Sequence, residues 1–521
     1  MDTNTSLELP EQFNAAVPLL DEHVAQGRGD RVAVYYQDAT YTYRDLQRLA
    51  NRTGNALRRL GLVMEQRVLM LVLDCPEFVA SFLGAIKIGA IPIPANTIMR
   101  SQDYEYFLTD SRAQALIVSR EVYPEVKPVL ARSPFLKHVI VIGDAPDGHL
   151  SFQALIENES DELQPAPTHR DDMAFWLYSS GSTGFPKGVV HLQHDMHHCC
   201  VTAGRLLYDI RADDIVFSVP KLFFAYGLGN ALFHPFSIGG ASVFWPARPL
   251  PQDMFKVIDR YKPTVFFSVP TMYAMMLQVK DAAQYDLGSL RTCFSAGEAL
   301  PPELYRRWKE RFGLEIVDGI GSTEALHLFI SNQPGSVKLG ASGKLVPGYR
   351  ARIADDQGNE APRGEVGNLW ICGDSTAPYY WNRHEKTKTT MIGEWIITGD
   401  KYYLDEEGYF VFCGRSDDML KVGGIWVSPI EIENALLEHP SVLECAVIGQ
   451  EDDNKLIKPK AYVVLKEGFQ PQPDAGKQYT EHLRERLAPY KYPRSYEFVK
   501  DLPKTATGKI QRYKLREISA A

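Results

Sequence analysis

Short runs of β-branched and apolar residues alternate with amphipathic stretches of helical length through most of this chain, and few architectures accommodate that rhythm. Residues 67–73 read as a strand, 76–88 as a helix and 91–94 as a second strand. The beat returns at 115–118 and 139–142, at 264–269 before a helix over 271–280, and at 292–296 before a helix over 302–312. Such alternation predicts an α/β fold with parallel sheets and crossover helices. After Val337 the texture changes. Glycine-punctuated runs at 349–353, 367–372, 395–398 and 409–413 predict a small antiparallel β subdomain, with Asp405-Glu406-Glu407-Gly408 as a hairpin turn. Beyond Arg415 comes a compact α+β pattern, with helices over 429–438 and 479–487 and strands over 445–449 and 461–465. The expected division is a large N-terminal domain, 1–415, a boundary at 416–418 and a small C-terminal domain, 419–521.

Composition excludes whole classes of function. With 521 residues, 45% of them hydrophobic, the chain has ample material for a core and is not disordered. A net charge of −9 argues against a nucleic-acid binder. The balance is uneven: from Arg486 to Glu517 there are nine Lys/Arg and three Asp/Glu, a local +6 that leaves −15 for the other 489 residues. Residues 1–10 show no signal peptide, and the apolar stretch 68–95 is broken by Asp74, Glu77 and Lys87, so no membrane span is expected. Seven cysteines, an odd number scattered through strand-like segments, read as reduced thiols in a cytoplasmic protein.

The most informative stretch is Tyr178-Ser-Ser-Gly-Ser-Thr-Gly-Phe-Pro-Lys-Gly188. Small residues let backbone N–H groups approach an anion, the hydroxyls of Ser180, Ser182 and Thr183 can donate to phosphate oxygens, and Lys187 adds a point charge. The spacing is not that of a Walker loop. Four other clusters are ambiguous singly. Asp318-Gly-Ile-Gly-Ser-Thr-Glu324 suits a phosphate contact plus a carboxylate for Mg²⁺. Thr398-Gly-Asp400 offers a carboxylate for both hydroxyls of a ribose; Gly414-Arg415 stands at the domain boundary; and Pro503-Lys-Thr-Ala-Thr-Gly-Lys-Ile510 is a Gly-Lys loop in the basic segment.

Together and in this order, these motifs resemble the adenylate-forming acyl-CoA synthetase superfamily, over roughly 30–517. The resemblance implies two steps. A carboxylate attacks the α-phosphate of Mg·ATP to give acyl-AMP and diphosphate, and the thiol of coenzyme A then displaces AMP. It also implies that Ser180, Gly181, Ser182, Thr183 and Gly184, with Lys187, hold the β- and γ-phosphates. Gly297-Glu298-Ala299 and Asp318-Gly319-Ile320 would border the adenine, Thr323 would contact the α-phosphate, Glu324 would hold Mg²⁺, and Asp400 with Arg415 would bind the ribose. Lys509 resembles the family's catalytic lysine, and Asp417 its hinge. About that hinge the small domain would turn, replacing Lys509 with the Lys421-Val-Gly-Gly424 loop.

Lys221-Leu-Phe-Phe-Ala-Tyr-Gly-Leu-Gly-Asn230, with Gly321-Ser-Thr-Glu-Ala-Leu-His327, is similar to the benzoate–CoA ligase branch. By that resemblance Phe224, Ala225, Tyr226, Gly227, His327 and Leu328 line a short, flat acyl pocket, while Phe223 anchors the loop. His234 stands where many benzoate-specific relatives are expected to carry an aromatic ring. An imidazole there could donate to a ring substituent, which keeps 4-hydroxybenzoate and 2-aminobenzoate as alternatives to benzoate. A stand-alone aryl-acid adenylating enzyme that loads a carrier protein is a second alternative. Retention of Glu324 and Lys509 argues against a non-catalytic nucleotide sensor. The expected partners are a small aromatic carboxylate, ATP and coenzyme A, with no nucleic acid and no membrane; a homodimer is left open. The run His191, His194, His197, His198, Cys199, Cys200 is too crowded for the paired ligand sets of a zinc site, and reads as packed or surface side chains.

Overall fold

Strands Ala115–Ser119 and Val265–Ser268 are buried at every position, as parallel strands covered by helices on both faces must be. The structure, a computed structural model, describes residues 9–520 other than 147, 182–183, 417, 423–424, 453–455, 472–474 and 505–509. Ser182, Thr183, Asp417, Gly424 and Lys509 therefore lie outside the described residues.

Two large sheets carry the N-terminal domain. One is wholly parallel, in the order Ile91–Pro94, Arg67–Leu71, Ala115–Ser119, His138–Ile142, Leu150–Ser151, with helices Pro76–Lys87 and Ser101–Ser111 as crossovers. The other has nine strands. Its six central strands are parallel and run from Val32–Tyr36 through Ala241–Phe244, Ile215–Ser218, Val265–Ser268 and Thr292–Ser295 to Ile316–Gly321. Antiparallel strands close both edges: Ala39–Thr42 on one side, Leu328–Ser331 and Lys344–Leu345 on the other. The reversal between Gly321 and Leu328 sets a tight turn at the carboxyl end of a parallel strand, where ligands of open α/β sheets bind.

The antiparallel subdomain pairs Arg350–Ala354, Gly367–Cys372, Trp395–Leu404 and Phe410–Arg415, with the short strand Met391–Ile392. The turn at 405–408 closes as a hairpin, through bonds between Asp405 and Tyr409 and from Gly408 N to Asp405 O. The small domain packs helices Pro429–Leu437, Ala475–Arg484 and Arg512–Ala520 on the sheet Val442–Glu451, Ile457–Leu465, Ser495–Phe498. The helix expected over 479–487 thus begins at Ala475. The flanks of the phosphate loop extend into nine-residue antiparallel strands, Met173–Gly181 and Gly184–Leu192, with Gly181 facing Gly184.

Candidate active site

A cavity of about 890 Å³ opens between the strand ends of the nine-stranded sheet, the antiparallel subdomain and the small domain. Eleven of the residues singled out by motif line it: Lys187, Gly297, Glu298, Ala299, Asp318, Gly319, Ile320, Thr323, Glu324, Asp400 and Arg415. Their local geometry follows from backbone requirements. Gly321 sits so close to the His327 carbonyl that a side chain there would overlap main chain, and Leu326 is held at φ +65° to complete the turn. Ser322 accepts from Ala325 N through its hydroxyl at 3.2 Å, closing the turn from its start. Glu324 then projects as a single carboxylate whose Oε1 accepts from Tyr380 Oη at 2.7 Å and Ser179 Oγ at 3.2 Å.

Lys187 lies 4.6 Å from the centre of the Tyr380 ring, and burial lowers its ammonium below the usual lysine range despite the nearby Glu324 carboxylate. A partly desolvated cation facing a cavity is matched by an anion such as phosphate. Opposite it, Asp400 and Arg415 are direct cross-strand partners; Arg415 Nη1 donates to Asp400 Oδ1 at 2.9 Å and to the Thr398 carbonyl at 3.1 Å. Burial pushes the Asp318 carboxyl well above the usual range, and Leu300 N donates to its Oδ2 at 3.4 Å. From the small domain, Lys504 and Ile510 pair as an antiparallel bridge and line the cavity with Arg512. They bracket residues 505–509.

Among the cavity residues that lie outside the motifs, Tyr380, Arg383 and Lys386 bring aromatic and basic groups close to Lys187 and Glu324. Arg383 Nη2 donates to Tyr106 Oη at 2.7 Å, and Lys386 adds positive charge near Lys187. The segment Tyr379-Tyr-Trp-Asn-Arg-His384, aromatic and basic between two elements, was the available signal.

The acyl-pocket candidates form a second layer outside that lining. Phe224 precedes the short helix Ala225–Leu228, and Gly227 packs directly on the Lys221 carbonyl, where a Cβ has no space. His327 is 2% exposed; its Nε2 is 3.2 Å from Asn230 Oδ1 and its Nδ1 3.4 Å from Tyr208 Oη. Burial lowers the His327 imidazole to about 3, so the ring is neutral. Leu328 starts the first antiparallel strand after the reversal and is buried. His234 lies edge-on to His327 at 4.4 Å, and burial, then the neighbouring His327, drive it well below the usual range. Among the described residues, neither nitrogen of His234 has a hydrogen-bond partner, nor has Tyr226 Oη or Asn230 Nδ2. The surrounding segments Cys200–Leu207 and Gly229–Phe233 are π-helical, a geometry frequent at functional sites.

Lys421 pairs through its backbone with Trp426 in the hairpin of Leu420–Val422 with Ile425–Val427. In the histidine run, His194 Nδ1 and Nε2 lie 3.0 and 2.9 Å from the Arg170 and Asp374 carbonyls, and Cys200 donates to the Phe233 carbonyl. Among the described residues no group of three or more His, Cys, Asp or Glu could hold a metal by itself.

Comparison with known proteins matches residues 21–381 to the AMP-binding enzyme family and residues 431–509 to the AMP-binding enzyme C-terminal domain. The benzoate–CoA ligase of Thauera aromatica is 51% identical over 518 residues, covering 99% of this chain and 98% of the relative. A 4-hydroxybenzoate–CoA/benzoate–CoA ligase of Rhodopseudomonas palustris is 44% identical over 97% of this chain and 94% of its own length. Among solved structures, an anthranilate–CoA ligase in complex with anthranoyl-AMP superposes with a TM-score of 0.95 at 44% identity, covering 100% of this chain and 99% of that one.

Proposed function

This chain belongs to the AMP-binding enzyme family, and we propose that it is an ATP-dependent aromatic acid–CoA ligase acting on benzoate. The observation that carries the reading is the 51% identity to a benzoate–CoA ligase over almost the whole chain, coinciding with a cavity lined by the predicted nucleotide residues. In the first step a benzoate oxygen attacks the α-phosphorus of ATP, the bond to the bridging oxygen breaks, and diphosphate leaves. In the second the thiol of coenzyme A loses its proton, its sulfur bonds the acyl carbon, and AMP leaves.

The residues have distinct tasks in this reading. Lys187 and the Ser180–Gly184 loop hold the terminal phosphates, Asp400 holds the ribose with Arg415 bracing it, and Gly297, Glu298 and Ala299 border the base. Thr323 meets the α-phosphate. Glu324, a lone carboxylate steadied at one oxygen, suits Mg²⁺, which takes few protein ligands and fills its shell from phosphates and water. That ion neutralises charge on the phosphates when bound. Lys509 stabilises the charge that builds on the α-phosphate and carboxylate oxygens. The small domain turns about Asp417 between half-reactions and brings Lys421 to Gly424 to the site. Seven cysteines, all free and buried, support a cytoplasmic setting.

Diphosphate exchange with a panel of aryl and short alkyl carboxylates, run with and without coenzyme A, tests the function. Benzoate-dependent exchange and benzoyl-CoA formation are expected. Exchange without any thioester would favour a carrier-loading enzyme instead. Lys509→Ala should lose at least about 100-fold in adenylation while still converting supplied benzoyl-AMP to thioester; full-rate adenylation would reject its role.

The unpartnered nitrogens of His234, beside Tyr226 Oη and Asn230 Nδ2, favour a second reading in which the acid carries a hydroxyl or amino group. Polar groups built to bind a substituent can discriminate against its absence by about 100-fold or more. Specificity constants for benzoate, 4-hydroxybenzoate and 2-aminobenzoate in the wild type and in His234→Phe separate the two. A preference for benzoate that His234→Phe leaves unchanged excludes the second reading.

A further inference from the structure

His191 and Asp195 are both fully buried, and neither belongs to the nucleotide motifs. Asp195 Oδ2 lies 2.8 Å from His191 Nδ1 and also accepts from Leu192 N at 3.1 Å. The far side of the imidazole, Nε2, is 2.8 Å from the main-chain carbonyl of Thr323. A carbonyl only accepts, so Nε2 carries the hydrogen toward Thr323. The ring is further fixed by stacking on Phe175, with centroids 5.2 Å apart and planes 23° from parallel.

Thr323 is one of three successive residues whose carbonyls are each held from outside the turn, one by the phosphate hairpin and two by the segment 375–377. His191 takes Thr323 O, Ala377 N donates to Glu324 O at 2.7 Å, and Ser375 Oγ donates to Ala325 O at 2.8 Å. These restraints act on a turn that ends in a left-handed, non-glycine residue, Leu326. Such a conformation is costly by itself and persists when surrounding contacts over-determine it. Of the three, only His191 comes from the strand that also carries Lys187, so it links the phosphate hairpin directly to the Thr323–Glu324 turn.

We propose that His191, braced by Asp195, is a positioning residue for adenylation: it sets the Thr323–Glu324 turn at the height at which Thr323 meets the α-phosphate and Glu324 the magnesium ion. The inference rests on the ligase reading given above. Because His191 acts through the Thr323 carbonyl, only its Nε2 donor matters to the turn.

Two substitutions separate that donor from the rest of the ring. In His191→Gln the amide N–H reaches the position of Nε2, whereas in His191→Asn it reaches only the position of Nδ1. Loss of one such hydrogen bond is expected to lower benzoate-dependent diphosphate exchange about 10- to 100-fold. The expected result is therefore that His191→Asn loses this much, with KM for Mg·ATP raised and KM for benzoate unchanged, while His191→Gln recovers most of the rate. Thioester formation from supplied benzoyl-AMP should stay within about threefold in both. Calorimetric binding of α,β-methylene-ATP gives a readout without turnover: its enhancement by magnesium should be lost in His191→Asn and kept in His191→Gln. Equal behaviour of the two variants in exchange, or equal loss in both half-reactions, overturns the proposal. Should either variant fail to fold, Asp195→Ala, which removes the carboxylate and offers Nδ1 no partner in its place, is measured instead. A rise in KM for Mg·ATP alone supports the proposal, and a parallel change in both KM values, or none, overturns it. Absence of exchange in the wild type with every acid would instead overturn the ligase reading.

Discussion

Gly229 marks the point where two imidazoles converge: a Cβ there would lie 2.6 Å from His327 Nε2 and 3.0 Å from His234 Nε2. Gly204 makes room for the same ring on its other side, 3.0 Å from His234 Nδ1. Both rings are held neutral by burial, and that has a consequence for stability. A histidine whose folded value is lowered contributes stability that is complete above its unfolded value near 6.5, because only the unfolded chain takes up the proton below it. The contribution is lost as pH falls from about 6.5 toward the folded value, about 3 for His327, at up to about 1.4 kcal/mol per pH unit for each ring. His234→Phe is expected to remove one ring's share, so denaturant unfolding between pH 6.5 and 5 should fall less steeply than in the wild type. An unchanged slope would show that His234 is not buried and neutral. The sequence singled out both histidines through the motifs around them. That their nitrogens end in opposite conditions, His327 engaged and His234 not, depends on where Asn230 and Tyr208 come to lie.

The hairpin made by Trp395–Leu404 and Phe410–Arg415 shows what an element adds to a motif. The sequence places Asp400 at a strand end, because Gly399 interrupts the apolar run. In the fold the strand continues through it to Leu404, with a register shift at Lys401/Tyr402, since the partner strand supplies the missing ladder. Gly399 adopts φ +77°, and a Cβ there would lie 2.9 Å from Arg415 Nη2. Gly399→Ala therefore forces a left-handed alanine at a cost of about 1 kcal/mol and displaces the guanidinium that braces Asp400. The expected outcome in steady-state kinetics is a KM for ATP raised about tenfold, corresponding to about 1.4 kcal/mol, with KM for benzoate unchanged. The phosphate hairpin makes the same point. Its glycines and hydroxyls were legible as an anion loop, but the nine-residue strands on either side were not, because their apolar runs are short and their pairing is tertiary.

Across the whole molecule, the basic C-terminal segment has a plainer role than its charge suggests. Nine bases against three acids in one segment would suit a polyphosphate or an open solvated surface. Among the described residues, Arg486, Lys491, Lys504 and Arg512 reach Glu438, Glu431, Glu444 and Glu433 within the small domain, and Arg516 reaches Asp418 at its boundary. The most buried is Arg512–Glu433, at 2.7 Å with side chains 15% and 7% exposed, and Glu433 Oε1 also accepts from Val447 N. Glu433→Gln leaves a buried guanidinium poorly matched and is expected to destabilise the small domain by about 3 kcal/mol. In denaturant titrations this should appear as an earlier transition for that domain, with the large domain's transition unmoved; a single coincident shift would contradict it. By itself the sequence determined the α/β class, the order of the motifs and the chemistry each could supply, because periodicity, glycine placement and reactive groups are local. Tertiary structure alone decided which carboxylate meets which base, which buried nitrogens go unpartnered, and that His191 supports the Thr323 turn. His191 and Thr323 are 132 positions apart, and only the packing of separate elements brings such residues within hydrogen-bond distance.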